Sequence, residues 1–286
     1  MMALLERSHA MPDPPAIDDG RPIDWSRTSR DYAAHRPGPP ARLYDLLSTL
    51  GVGLPGQRVL DLGTGTGLVA RALAARGLAA CGIDIASGQV EAARAAAARE
   101  GLAIDFRVAP AEACPFADAT FDLVIASQCW MYFDVDRTLA EVRRVLAPGG
   151  LLVTTHFSWL PRLDAVARAS EALARRYNPA WQGADWSGAI PSVPKWTEGR
   201  ASVRAMFWFD EAVPFTHAAW RGRMRACRGV GATLDGAEVE AFDAEHAELL
   251  ARIAPDPFHV RHRVDAHLID PQQVDDPSRI VARDAS

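Results

Sequence analysis

"VLDLGTGTG", residues 59–67, decides how this chain is read: an apolar run carrying one acid, Asp61, followed by glycines at alternate positions, Gly63, Gly65 and Gly67. The aliphatic residues of 58–62 predict a short buried strand, which the glycines end abruptly. Residues 68–76 predict a helix after it, with Leu68, Ala72 and Ala75 on one face and Gly77 as a left-handed stop. Glycines between a strand and a helix let a ligand approach the backbone closely, and the helix amide dipoles point at whatever sits there. The turn suits a nucleotide-like molecule.

Local pattern leaves the molecule open, because Gly65 to Ala70 also satisfies the G-x-G-x-x-A form of the dinucleotide fingerprint. Asp84, in the next apolar run "AACGIDIA", fits either case, since a carboxylate at the tip of the second strand accepts hydrogen bonds from ribose hydroxyls in both. What separates the two is Asp61, placed just before the first glycine, together with the segments downstream.

With 286 residues, about half of them apolar (49%), the chain can bury an enzyme-sized core. A formal charge of −5 supplies no basic field for a nucleic-acid backbone, so a small or neutral partner is expected. Cys81, Cys114, Cys129 and Cys227 show neither C-x-x-C pairing nor histidines at metal spacing, which predicts no metal site and a reducing, cytoplasmic setting. The first residues lack the apolar stretch of a secretory signal, and no run is long enough to span a bilayer. Oligomeric state is not encoded in any pattern here.

Residues 1–24 and 271–286, rich in Pro, Asp and Gln, are expected to be loose tails around one domain at 25–270. A helix is expected near its start, with Leu43, Leu46, Leu47 and Leu50 on one stripe. From 59 to 157 short apolar runs alternate with helix-period segments: strands at 58–62, 79–84, 103–108, 121–127 and 151–157, with helices between. Asp134 is a candidate cap for the last of these helices, which turns Leu139, Val142, Val145 and Leu146 inward and stops at Pro148, Gly149 and Gly150. Later come a helix at 163–177, a loop at 178–200 rich in Trp, Gly and Pro, a strand near 202–209, helices within 217–253, and a last strand near 259–269. The expected fold is a Rossmann-like, doubly wound α/β sheet of seven strands, mostly parallel with one antiparallel strand. A helical cap insertion at about 158–255 covers its ligand edge. The 178–200 loop has the composition of a segment that closes over a ligand.

An ordered set of segments carries a family resemblance: "YAAHRP", "VLDLGTGTG", "GIDIA", "APAEACPF", "FDLVIASQCWMYFD" and "RVLAPGG". From about residue 32 to 157 the chain resembles the class I S-adenosylmethionine-dependent methyltransferases, in particular their small-molecule branch with the ubiquinone/menaquinone C-methyltransferase-like enzymes. The resemblance implies that S-adenosylmethionine is bound and S-adenosylhomocysteine released. It implies that Asp61 takes the methionine ammonium end and that the backbone of Gly63, Thr64, Gly65 and Gly67 lines its path. Asp84 would bind the ribose hydroxyls, Ile85 and Gln89 would flank the adenosine, and Ala111 and Glu112 would border the adenine. Gln128 would sit near the sulfonium, and Tyr32 and Arg36 would close over the cofactor. The chain departs from the pattern at Met131, where relatives often carry histidine, and at Pro39, where they often carry an aromatic residue.

Inline displacement needs an aligned nucleophile and a dry site more than a strong base, so the absence of a triad in the sequence is no objection. His156 at the end of the fifth strand reads either as a proton acceptor or as a satisfied core histidine, and His35 is open in the same way; with Tyr32 they are the candidate catalytic residues. Trp130, Tyr132 and Trp159, at expected strand tips, are candidates for an acceptor pocket. Arg221, Arg223, Arg225 and Arg228 in "WRGRMRACR" read as a solvated helix face or as an anchor for a carboxylate or phosphate. A nicotinamide oxidoreductase and a non-catalytic cofactor-binding module are the alternatives.

Overall fold

The computed structural model describes residues 23–28, 31 and 34–274. Seven strands form one sheet in the order β3-β2-β1-β4-β5-β7-β6. They are β1 Arg58–Leu62, β2 Ala79–Asp84, β3 Asp105–Val108, β4 Phe121–Ser127, β5 Leu146–Trp159, β6 Ser202–Phe215 and β7 Phe258–Asp270. Pairing is parallel from β3 through β5, and β7 runs antiparallel to both β5 and β6. The seven-stranded, doubly wound sheet with one reversed strand is the expected one.

Alternation along the central strands feeds two cores. Val59, Leu123 and Ile125 pack on one face with α1 Ala41–Thr49, α2 Leu68–Ala74 and α3 Ser87–Arg99. Leu60, Leu62, Val124 and Ala126 pack on the other, against Leu139, Val142 and Val145 of α4 Val135–Val145. The cap is built from α5 Ala165–Tyr177, α6 His217–Arg225 and α7 Gly236–Ile253. Its buried Leu173, Trp220 and Phe242 belong to the same apolar cluster as Val59 and Leu123.

Several boundaries and faces differ from expectation. Helix α2 ends at Ala74 and buries Val69, Ala70 and Leu73 rather than Leu68, Ala72 and Ala75. In a seven-residue helix both sets satisfy the period, and Ala does not mark a face. Helix α1 ends before Leu50, which is 46% exposed, and buries Tyr44 in its place. The expected stop at 148–150 falls inside an irregular start of β5, where Gly149 has φ +80° and the register slips opposite Phe121 and Leu123. Strand β6 runs six residues beyond the expected end at 209.

The expected tails lie almost wholly outside the described residues. Where they enter them, Asp24 donates its backbone N–H to Ala232 O at 3.0 Å, and Pro271 O accepts from Arg143 Nε at 2.7 Å. Among the described residues no helix is long and apolar enough to cross a membrane.

Candidate active site

Parallel strands present ligands at their carboxyl ends, and the glycine turn after β1 sits there. Gly65 has φ +55° and donates its N–H to Asp84 Oδ2 at 2.9 Å. Asp84 Oδ1 accepts from Ala86 N–H at 2.9 Å and the Ile85 amide also bonds the carboxylate, which leaves it part of its acceptor capacity. Burial raises the Asp84 carboxyl above its ordinary value.

Asp61 stands behind the turn. Its Oδ2 accepts from Thr64 Oγ1 at 2.7 Å and from Ala70 N–H at 3.2 Å, and the residue is 1% exposed. Burial pushes its carboxyl up to about 7, against the pull of those two donors. Asp61 and Thr64 line a recess of about 30 Å³ shared with Arg36 and Pro39, not the main cavity. Gly67 does not reach the cavity either. A Cβ there would come 2.7 Å from Phe106 Cζ, so this glycine allows helix and strand to pack. Asp61 and Thr64 thus brace the turn from its far side, in a recess that shares Arg36 and Gly63 with the main cavity.

The main cavity measures about 1540 Å³. One end is lined by Arg36, Gly63, Gly65, Asp84, Ile85, Gln89, Ala111, Glu112 and Gln128, and so gathers most of the expected cofactor residues. Glu112 Oε1 accepts from Asp134 N–H at 3.0 Å, which ties the loop after β3 to the cap of α4. Gln128 adopts φ +64°, uncommon for a side-chain-bearing residue, and donates Nε2 to Ser158 Oγ at 3.0 Å. Gln89 Oε1 and Trp130 Nε1 are buried without a hydrogen-bond partner among the described residues. A carboxylate with spare acceptor capacity, exposed Ile85 as an apolar shelf and a side-chain-free turn together fit a nucleoside-bearing cofactor. Tyr32 lies outside the described residues.

The other end is built by β5, β7 and the cap. His156 and Asp265 are register partners on antiparallel strands, and Thr154 faces His267 two positions away. His156 Nδ1 lies 3.0 and 3.2 Å from the carboxylate oxygens of Asp265, which is fully buried. A carboxylate accepts, so Nδ1 is the donor of this pair and the ring turns its Nε2 edge away from Asp265. His156 lines the cavity and is about a third exposed. His267 donates Nε2–H to Pro191 O at 2.8 Å and places Nδ1 3.7 Å from Asp265. His35 is not brought here. It packs on Gly222 of α6, 3.8 Å from Asp31, outside the cavity lining.

Trp130, Tyr132 and Trp159 all line the cavity, joined by Trp181, Trp186 and Trp196 from the 178–200 segment. Trp130 packs on Trp196 with centroids 4.6 Å apart. The segment itself is fastened at several points: Arg263 Nη1 to Gly188 O at 2.6 Å, Asp185 N–H to Glu171 Oε2 at 2.6 Å, and the Arg200 to Asp136 ion pair at 2.7 Å. It forms a wall of the site held to β7, α5 and α4. Asp265 and His267 escaped sequence reading, although polar residues at alternate positions in the apolar "VDAHLID" are a usable signal.

Residues 60–154 match a family model described as a methyltransferase domain. The chain is 40% identical over 108 residues to the ubiquinone/menaquinone biosynthesis C-methyltransferase of Bordetella avium, covering 36% of this chain and 42% of that protein. It is 31% identical over 158 residues to the enzyme of that name from Cupriavidus necator, covering 53% and 63%. The demethylmenaquinone methyltransferase of Thermus thermophilus is 42% identical over 109 residues, covering 37% and 50%. The chain thus spans about half the length of the curated relatives it matches. Among solved structures, a protein described as a type II methyltransferase from Anaeromyxobacter dehalogenans superposes with a TM-score of 0.53 at 23% identity, covering 82% of this chain and 97% of that one. YjhP of E. coli does so with 0.51 at 19% identity, covering 85% and 98%. These two likenesses are likenesses of fold.

Proposed function

We propose that this chain, which carries a class I methyltransferase domain, transfers a methyl group from S-adenosylmethionine to an oxygen, nitrogen or carbon nucleophile of a small molecule. The observation that carries the reading is one continuous cavity that joins the strand-tip residues, with Asp84 among them, to the His156–Asp265 pair. Its volume, about 1540 Å³, exceeds the roughly 300–1,000 Å³ of a one-ligand pocket. Two molecules side by side need such a space.

When bound, S-adenosylmethionine supplies an electrophilic methyl carbon on a sulfonium centre. Asp84 would hold the ribose hydroxyls through its spare acceptor directions, and the Gly63 and Gly65 backbone would border the methionine portion. Ile85 and Gln89 would flank the adenosine, Ala111 and Glu112 the adenine, and Gln128 and Arg36 would edge the sulfur side. Asp61 acts through Thr64 and the first turn of α2, holding the turn in shape. His156 Nε2 takes the proton of an O–H or N–H acceptor, Asp265 holds the ring for it, and the tryptophan wall keeps water out.

The reading extends to a cytoplasmic protein that acts on a small molecule and not on nucleic acid or membrane. Net charge and unpaired cysteines support it. Calorimetry with S-adenosylhomocysteine and with NADH tests the cofactor: binding of the first and not the second is expected, and the reverse would restore the oxidoreductase alternative. Methyl transfer from labelled S-adenosylmethionine to an acceptor then separates an enzyme from a binding module.

A further inference from the structure

We infer that Trp186 is the stacking platform for the methyl acceptor, and that the acceptor is therefore a molecule with a planar aromatic ring. The inference rests on the methyl-transfer reading above and names the acceptor class of that same cavity.

Five tryptophans line the cavity, and four of them are already engaged within the fold. Trp159 donates Nε1–H to Glu171 Oε1 at 2.5 Å, carries the Arg223 guanidinium 4.5 Å over its ring and meets Trp220 edge-on. Trp130 is a member of the core on the α4 side of the sheet, where it meets Phe133 edge-on, and Trp196 packs against it with centroids 4.6 Å apart. Trp181 is 6% exposed, belongs to the opposite core, and fills the space that a side chain at position 229 would need. Trp186 is the exception. It is half-buried and belongs to neither core. Among the described residues its ring meets no other ring and no cation, and its indole N–H has no hydrogen-bond partner.

The chain nevertheless fixes where Trp186 stands. The residues that bracket Trp186 and Ser187 are both left-handed, Asp185 at φ +58° and Gly188 at φ +79°. Asp is among the few side-chain-bearing residues that tolerate this region, and here it is held from two sides: its N–H donates to Glu171 Oε2 at 2.6 Å and its carboxylate pairs with Arg162 at 2.9 Å. Gly188 O accepts from Arg263 Nη1 at 2.6 Å, and Pro191 O accepts from His267 Nε2 at 2.8 Å. Arg263 and His267 lie two positions to either side of Asp265 on β7, and so on the same face of the strand. The segment that leaves Trp186 is thus pinned to β7 on both sides of the residue that holds His156. An indole ring kept in one place without packing or hydrogen bonds of its own gives the fold little, and offers a ligand a rigid apolar face. A planar ring laid on that face buries its area while freezing few torsions, whereas a flexible aliphatic chain would lose its rotamer freedom there.

The test is calorimetry on the full chain saturated with S-adenosylhomocysteine, with phenol, 2-naphthol and 2,6-dihydroxynaphthalene as probes and cyclohexanol, decahydro-2-naphthol and decahydronaphthalene-2,6-diol as their saturated counterparts. The saturated rings are at least as apolar, so a pocket that selects for burial alone shows no preference for the aromatic member. At least one aromatic probe is expected to bind tenfold or more tighter than its counterpart. Trp186→Leu, which keeps apolar bulk and removes the flat ring, should bring that preference below threefold, Trp186→Phe should retain more of it, and S-adenosylhomocysteine affinity should stay within twofold in both. The absence of a tenfold preference in every pair, or of binding by any aromatic probe, overturns the proposal. So does a preference of threefold or more that survives in Trp186→Leu, or a loss as complete in Trp186→Phe as in Trp186→Leu. If Trp186→Leu does not fold, intermolecular nuclear Overhauser effects from the ring protons of the bound probe to the Trp186 indole of the parent decide, and their absence overturns the proposal. Failure of S-adenosylhomocysteine to bind is a separate result, which overturns the methyl-transfer reading and this proposal with it.

Discussion

Asp61 and Asp84 end neighbouring strands of one sheet, yet one carboxylate is sealed behind the glycine turn and the other faces the cavity. The sealed one has a measurable signature. Its carboxyl is raised to about 7, so between roughly pH 4 and 7 the folded protein keeps a proton that the unfolded chain has released. Stability from this group therefore falls as pH rises through that window, at about 1.4 kcal/mol per pH unit, and levels off above it. Asp61→Asn keeps an acceptor for Thr64 and Ala70 and removes the titration. Urea unfolding at pH 5 and pH 8 should show the variant gaining about 2.6 kcal/mol on the parent between the two, whereas a constant difference would mean that Asp61 is ionised throughout. For Asp84 the expected effect is on binding: Asp84→Ala should weaken S-adenosylhomocysteine by about 1–3 kcal/mol in calorimetry, because ribose hydroxyls lose a charged acceptor. The His156–Asp265 pair should show itself in turnover. His156→Gln is expected to lower kcat by roughly 10²–10⁴-fold for an O–H or N–H acceptor, with cofactor affinity unchanged, since base catalysis has about that range. An unchanged kcat would leave His156 as wall only.

Elements differ in how much of them was legible. Strands β1, β2 and β4 and the glycine turn could be read because short apolar runs closed by glycine or acid have few other solutions. The cofactor end of the cavity is made from those same local segments, so it too could be read. Helix faces in Ala-rich stretches could not, as α2 shows, because alanine fits either side. The acceptor end was illegible for a different reason: Asp265 reaches His156 only through antiparallel register between strands 109 residues apart, and no local pattern sets that register. Strand β7 carries a titration of its own where it packs under the cap. His262, 1% exposed among Phe157, Trp159, Phe215 and Trp220, donates Nδ1–H to Val260 O at 2.9 Å, and burial pushes its pKa down to about 3. The unfolded chain takes up a proton below about pH 6.5 and the folded one does not, so stability from His262 is present above that pH and is lost as pH falls. His262→Phe should therefore gain about 2 kcal/mol relative to the parent when thermal unfolding at pH 5 is compared with pH 7, and a gap that does not move with pH would show that the histidine charges inside the fold.

Across the whole molecule, the apolar cluster that fills one face of the sheet continues without a break into the cap. Val59 and Leu123 of the central strands, Phe157 and Trp159 at the end of β5, and Trp220 and Phe242 of the cap helices are members of it. Strand β6 lies between two stretches of the cap in the chain and hydrogen-bonds to β7 along its length, so sheet and cap are interleaved in sequence. We propose on this ground that residues 25–270 unfold as one cooperative unit, although their length would permit two. Seven of the eight tryptophans lie between 130 and 220, which makes their fluorescence a report on the cap and the acceptor wall, while far-ultraviolet circular dichroism reports on all helices and strands. The two signals should trace one urea transition with the same midpoint. S-adenosylhomocysteine, bound mainly by the sheet end, should shift both together, by about 2.7 kcal/mol at a hundred times its dissociation constant. If the fluorescence transition comes first and the ligand moves only the later circular dichroism transition, the cap is a separately stable layer. In that case the acceptor end of the cavity can open while the cofactor end stays folded, and the single-unit proposal fails.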